Sequence, residues 1–165
     1  MTLEQQFIRA AAQQIGSPYI WGGKGTHLFD KKSGGLVGNP FIGNEYGRPP
    51  LLVFDCSGLV TWAWLQTNGK DARGMYHAQG LRDVLLPVQA NALLRPHLRY
   101  YGATPEKATH VAIAVAHVDG GFLVIEAGGG DQTTTSVLMA ERQGAKVRLD
   151  FETRKDFLSA SVLPV

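Results

Sequence analysis

The chain has 165 residues, of which 44% are hydrophobic and 18% charged. That length and composition suit one domain with a real core and exclude a disordered chain. Net charge is +2 and the pI about 8.8, a mild basicity that suits an anionic partner such as a cell-wall polymer or nucleic acid. The 16 Lys and Arg are scattered, with no dense basic run and no aromatic-interleaved stripe, which argues against nucleic acid. No apolar run reaches the roughly 20 residues of a membrane span. The N-terminal MTLEQQFIRAAAQQIG lacks the basic start and unbroken apolar stretch of a signal peptide. The expectation is synthesis in the cytosol, with any delivery to periplasm or cell wall left to phage or secretion machinery.

In chain order, residues 2–15 are expected to form a helix. Thr2 and Gln5 have capping-box spacing, Leu3, Phe7, Ala11 and Ile15 form one apolar stripe, and Gly16 and Pro18 stop it. SPYIWGGKG, residues 17–25, reads as a turn or short extended segment whose paired glycines let the backbone pass close to a neighbour. Residues 26–53 are rich in Gly, Pro and Asn and longer than an ordinary connection. They read as an insertion, either a rim or lid over a groove or a loose excursion. A second helix spans 56–67, capped by Asp55 and ended by Asn68-Gly69. A third, short helix is expected over 76–86. From residue 110 the pattern changes: HVAIAVAHV, a DGG turn and FLVIEA make a hairpin, and VRLDFE from 147 adds a strand. Helices first and antiparallel strands later predict an α+β fold, in one domain over 1–165.

The only cysteine is Cys56, in FDCSGLV. A thiol attacks carbonyls as thiolate, and a free thiol is mostly protonated at neutral pH. A helix N-terminus and a nearby imidazole both favour the thiolate, and Asp55 as N-cap puts Cys56 in the first helical turn. The alternative is an inert packing cysteine. None of the five histidines, His27, His77, His97, His110 and His117, has metal-ligand spacing with another. His27, His77 and His97 read as surface polar groups. His110 shares a strand face with Ala112, Ala114 and Ala116, and His117 lies on the other face. The small alanine face is expected to admit the second helix closely and bring Cys56 beside His110. The imidazole then needs a third group to orient it. With a three-residue DGG loop, Glu126 falls on the face of His110; a two-residue loop turns it away. Asp131 and Gln132 are the fallback orienters.

DCSGLV after PYIWGG, followed by HVAIAV, resembles the NlpC-type bacterial cell-wall peptidases, a papain-like cysteine peptidase family. The resemblance covers most of the chain from the first helix to the hairpin, and rests on those three patches. It implies a papain-like core, with a cysteine-bearing helix packed on an antiparallel sheet that carries the histidine. It implies Cys56 as nucleophile, His110 as general base and a third position filled here by Glu126 in place of the common histidine. Tyr19 would serve the oxyanion site, Asp55 and Ser57 would bind the stem peptide, and Trp21 would line the groove. The reaction would be hydrolysis of peptidoglycan stem peptides or muropeptides, beside D-glutamate, through an acyl-enzyme. No metal or organic cofactor is implied. Two departures stand out: ATPEKATHVAI lacks the family's Gly-Asp turn, and the 26–53 insertion is long. Alternatives are an acyltransferase or amidase using the same Cys–His pair and a non-catalytic wall-binding module. A delivery apparatus or an immunity partner is compatible with the sequence.

Overall fold

The computed structural model describes residues 1–26, 52–89 and 93–165. Most of the insertion, and His27, lie outside the described residues. Helix α1 is Leu3–Ala12, opened by the Thr2/Gln5 capping box, in which each side chain accepts from the other's backbone N–H. It is shorter than expected. Gln13 is its C-cap and residues 13–16 turn away, so Leu3 and Ile15 overhang at 47% and 48% exposure. Phe7, Ala10 and Ala11 are the buried face. A fully buried side chain the size of Phe7 contributes about 1.5–3 kcal/mol.

Two short strands, β1 (Lys24–Thr26) and β2 (Val53–Phe54), pair antiparallel and bracket the insertion. Helix α2, Cys56–Asn68, follows at once. Asp55 caps its first turn by accepting from Gly58 N–H at 2.6 Å, and Gly69 closes it in the left-handed region, as Asn68-Gly69 implied. From Ser57 to Trp64 every residue of α2 is buried. A helix apolar on all sides is a central one. Helix α3, Ala78–Val84, is capped by His77, whose Nδ1 accepts from Gly80 N–H. His77 is thus a surface polar group, as expected, and one that serves as a helix cap.

The second half is a five-stranded antiparallel sheet in the order β6-β5-β4-β3-β7. Its strands are β3 (His97–Tyr101), β4 (His110–Val118), β5 (Gly121–Gly128), β6 (Lys146–Phe151) and β7 (Phe157–Val162), with helix α4 (Val137–Gln143) between β5 and β6. The architecture is α+β, as predicted. Strands β3 and β7 and helix α4 were not anticipated. HLRYY has no alternation to reveal a strand, yet all five of its residues are buried. His97 is thus an interior residue, its Nδ1–H donating to Arg95 C=O at 2.7 Å, and burial lowers its pKa.

The sheet has two distinct faces. Val111, Ile113, Ile125, Ala127 and Val147 join the main core with Phe7, Leu59 and Val60 from the helices. Ala112, Ala114, Val124 and Tyr101 form a second cluster. The expectation that α2 packs on the alanine face is therefore wrong. Branched side chains offer the apolar area that a buried helix needs. The alanines instead leave room for Tyr101 and Phe122, and Arg99 lies between the Phe122 and Phe157 rings, at 4.2 and 4.0 Å. Cys56 still meets His110, because His110 opens its strand where the N-terminus of α2 arrives.

Candidate active site

Strand register positions the histidine and its carboxylate. The turn of the β4–β5 hairpin has two residues, Asp119 and Gly120, both at positive φ, with Val118 paired to Gly121. By simple alternation that turn points Glu126 away from His110. The ladder, however, shifts between Ala114 and Ala116, so Val115 is a bulge and the parity is reversed. Glu126 consequently meets His110: Nε2–H of the imidazole donates to Oε2 at 2.5 Å. Both are buried, at 9% and 7% exposure. The bulge also turns His117 onto the alanine face, not the opposite one expected, where its register partner Phe122 lies 5.0 Å away between ring centres.

With Nε2 committed to Glu126, Nδ1 is the ring nitrogen left to face Cys56, whose side chain lines the same cleft. Burial opposes a charge on His110. The hydrogen bonds and negative charges of Cys56 and Glu126 outweigh it and raise the pKa to about 9. Burial likewise opposes charge on Glu126, but His110 and then Arg148 lower its pKa to about 2. The pairing favours imidazolium over carboxylate, with the Cys56 side chain beside the ring at a helix N-terminus. Glu126 is the carboxylate bonded to His110, whereas Asp131 accepts from Thr133 N–H and Oγ1–H in its own turn. Among the described residues no cluster of His, Cys, Asp and Glu is arranged to hold a metal.

Cys56 and His110 open into a cleft of about 380 Å³, also lined by Tyr19, Trp21, Thr109, Gly130, Asp131, Gln132, Thr133 and Arg154. Tyr19 is pinned there because its N–H donates to Ala145 C=O, and its neighbours Ile20 and Trp21 donate to Phe54 and Thr134. A Cβ on Gly130 would strike the Tyr19 ring, so this glycine makes room for it. Burial, then the negative charges of Cys56, Asp55 and Asp131, raise the Tyr19 pKa, so its hydroxyl stays a donor. Trp21 stands at the rim, 56% exposed.

No family model matches the chain, and no curated protein does. Solved structures do. The peptidoglycan hydrolase RipB from Mycobacterium tuberculosis superposes with a TM-score of 0.59 at 22% identity, over 98% of this chain and 64% of that one. The NlpC/p60 domain of the peptidoglycan hydrolase SagA gives 0.57 at 23% identity, over 96% and 97%. The chain has the NlpC/p60 fold. RipD from M. tuberculosis, a non-catalytic NlpC/p60 domain protein adapted to peptidoglycan binding, is as similar: TM-score 0.61 at 19% identity, over 98% and 97%. The chain spans about two thirds (64%) of the RipB structure's length.

Within this NlpC/p60 fold, Asp55 and Ser57 sit below the cleft rather than in its lining. Both are buried, and Lys24 Nζ donates to Asp55 Oδ1 and Oδ2 at 2.9 and 2.7 Å and to Ser57 Oγ at 3.1 Å. Ser57 Oγ–H in turn donates to Asp55 Oδ1 at 3.0 Å. The group ties β1 to the first turn of α2. Gly23 C=O accepts from Asp55 N–H at 2.8 Å, and a Cβ on Gly58 would collide with that same carbonyl. This close approach explains the glycine of CSG; of the two in WGG, Gly23 is required by the Phe54 backbone, 2.8 Å from where its Cβ would lie, and Gly22 by its positive φ. Gly58→Ala is expected to push β1 off α2 and cost about 1–3 kcal/mol, read as a lower urea midpoint. An unchanged midpoint would mean that the contact relaxes freely.

Sequence reasoning missed Lys24, Arg148 and Arg154. Arg148 is directly opposite Glu126 across β5 and β6. Once VRLDFE is read as the strand beside FLVIEA, an acid facing a base is the available signal. Arg154 lies in the β6–β7 connection, its guanidinium 5.1 Å from the Tyr101 ring centre, and nothing local marks it as a cleft residue.

Proposed function

We propose that this chain is a cysteine peptidase that hydrolyses amide bonds in peptidoglycan stem peptides, next to D-glutamate. The observation that carries the reading is that Cys56 and His110 line one open cleft, with Glu126 buried behind the ring and bonded to it. The sulfur attacks the scissile carbonyl carbon, forming a C–S bond. The oxyanion is met by the helix N-terminus around Cys56 and by the Tyr19 hydroxyl. The His110 imidazolium passes its proton to the leaving amine as the C–N bond breaks, giving a thioester. A water then attacks the thioester, its proton goes to His110, and the thiolate leaves.

The remaining roles follow from placement. Asp55 and Ser57 hold the α2 N-terminus and its cysteine at the base of the substrate groove, and Trp21 forms one wall. Arg154 lines the cleft with its guanidinium forked onto Asp156, at 3.0 and 2.7 Å, so a substrate carboxylate would have to share it with that partner. The likeness to RipB and SagA, both peptidoglycan hydrolases, supports the substrate class. RipD is non-catalytic, and the complete thiol, imidazole and carboxylate set here supports catalysis over binding alone.

The test is incubation with purified muropeptides, followed by mass spectrometry. New free amines from stem peptides are expected, and prior blocking of Cys56 with iodoacetamide is expected to remove them. Intact muropeptides beside a rapidly alkylated Cys56 would move the substrate elsewhere, toward another acyl donor. Products that survive blocking would end the thiol mechanism.

A further inference from the structure

Glu126 divides its two oxygens. Oε2 accepts from His110, and Oε1 accepts from both Nε and Nη2 of Arg148, at 3.0 and 2.7 Å. Arg148 reaches it because Glu126 and Arg148 are register partners on β5 and β6. Gly128, two residues along β5 on the same face, leaves the space for this fork. A Cβ there would lie 3.1 Å from the Glu126 carboxyl and 3.3 Å from the Arg148 guanidinium. The carboxylate is buried, with its side chain 8% exposed, whereas the arginine side chain is 38% exposed and reaches solvent.

We propose that Arg148 is a positioning residue of this site, a fourth member behind Cys56, His110 and Glu126 that keeps the carboxylate charged and fixed through the whole cycle. The inference rests on the thiol–imidazole reading above. Its reason is a charge imbalance that the cycle itself creates. When the imidazolium gives its proton to the leaving amine, Glu126 loses its cationic partner while still buried. An unpaired buried carboxylate is costly, and that cost would oppose proton donation. A permanently charged guanidinium on the second oxygen removes the penalty. It also stops the carboxyl from rotating away from Nε2.

The experiment compares Arg148→Met and Arg148→Lys in wild-type and Glu126→Gln backgrounds. Arg148→Met is expected to lower kcat about tenfold with KM within about twofold, and Arg148→Lys, which keeps the charge without the fork, to recover part of the loss. In the Glu126→Gln background the Arg148→Met step is expected to have no further effect. An unchanged kcat in Arg148→Met, or an equal loss in both backgrounds, overturns the proposal.

A second readout needs no substrate. The ring resonance of His110, assigned by its absence in His110→Ala, is titrated by NMR. The groups facing this ring are Cys56 from α2, Glu126 from β5, Tyr101 from β3, and Arg154 and Asp156 from the β6–β7 connection. Arg148 is the change: losing its positive charge favours the imidazolium, so the titration midpoint is expected to move to higher pH. A shifted midpoint in a protein that leaves muropeptides intact would retain Arg148 and reject the peptidase reading; an unmoved midpoint rejects Arg148 itself.

Discussion

Replacing Cys56 by serine is expected to lower muropeptide turnover by on the order of 10⁴-fold or more, the scale of losing a nucleophile from a catalytic triad. Serine is close in size, and the site is open to the cleft, so the fold has no reason to change. What changes is the acid. A hydroxyl holds its proton far more tightly than a thiol, so serine at the same helix start is a much weaker nucleophile toward a carbonyl. Turnover measured against thermal melting separates the two effects. An unchanged melting temperature with turnover near zero is the expected pair of results, and turnover within tenfold of wild type would show that the sulfur is not the attacking atom.

Glu126→Ala is expected to lower turnover by roughly 10²- to 10⁴-fold, because an imidazole without its acceptor loses orientation and tautomer. His110 also loses one of its two charge partners, so the upper limb of the pH–rate profile should move below the value near 9 set by the intact pair. The same substitution has a pH-dependent stability signature. His110 has its pKa raised on folding, so its contribution is complete below the unfolded value near 6.5 and fades as pH rises through about 9. Glu126 has its pKa lowered, so its contribution is complete above the unfolded value near 4.5 and fades as pH falls through about 2. The stability gap between wild type and Glu126→Ala, from urea denaturation at each pH, should therefore be widest between about 4.5 and 6.5. About 3 kcal/mol is expected there, the low end for removing one member of a buried pair, since Arg148 turns to solvent. A gap that is flat with pH would mean that the two groups do not interact.

The two halves of the site were not equally open to sequence reading. Cys56 at a capped helix start is a local statement: Asp55, Gly58 and the apolar run that follows specify it within a few residues. The His110 strand was legible from alternation. Glu126 was reached by an argument whose intermediate step failed. The turn has two residues, which by alternation sends the carboxylate to the wrong face, and a bulge at Val115 brings it back. Nothing in HVAIAVAHV announces that bulge. The choice of face failed as well, because the small side chains were assigned to the helix side, while burial favoured the branched ones. Strand β3 escaped notice because HLRYY carries no alternating pattern, β7 although its LSASV does alternate, and α4 because it is short.

The amino-acid order alone specified the α+β class, the capped helix that carries the thiol, the hairpin that carries the imidazole, and the resemblance that ties them together. These depend on interactions within a few residues, where periodicity and capping chemistry act directly. Tertiary structure alone decided which strand edge meets the helix end, that a bulge aligns Glu126 with His110, that Arg148 stands behind it, and that Lys24 binds Asp55 and Ser57 beneath the cleft. Each of these is a contact between segments far apart in the chain. Such contacts are set by burial and register across the whole sheet, and no local pattern encodes them.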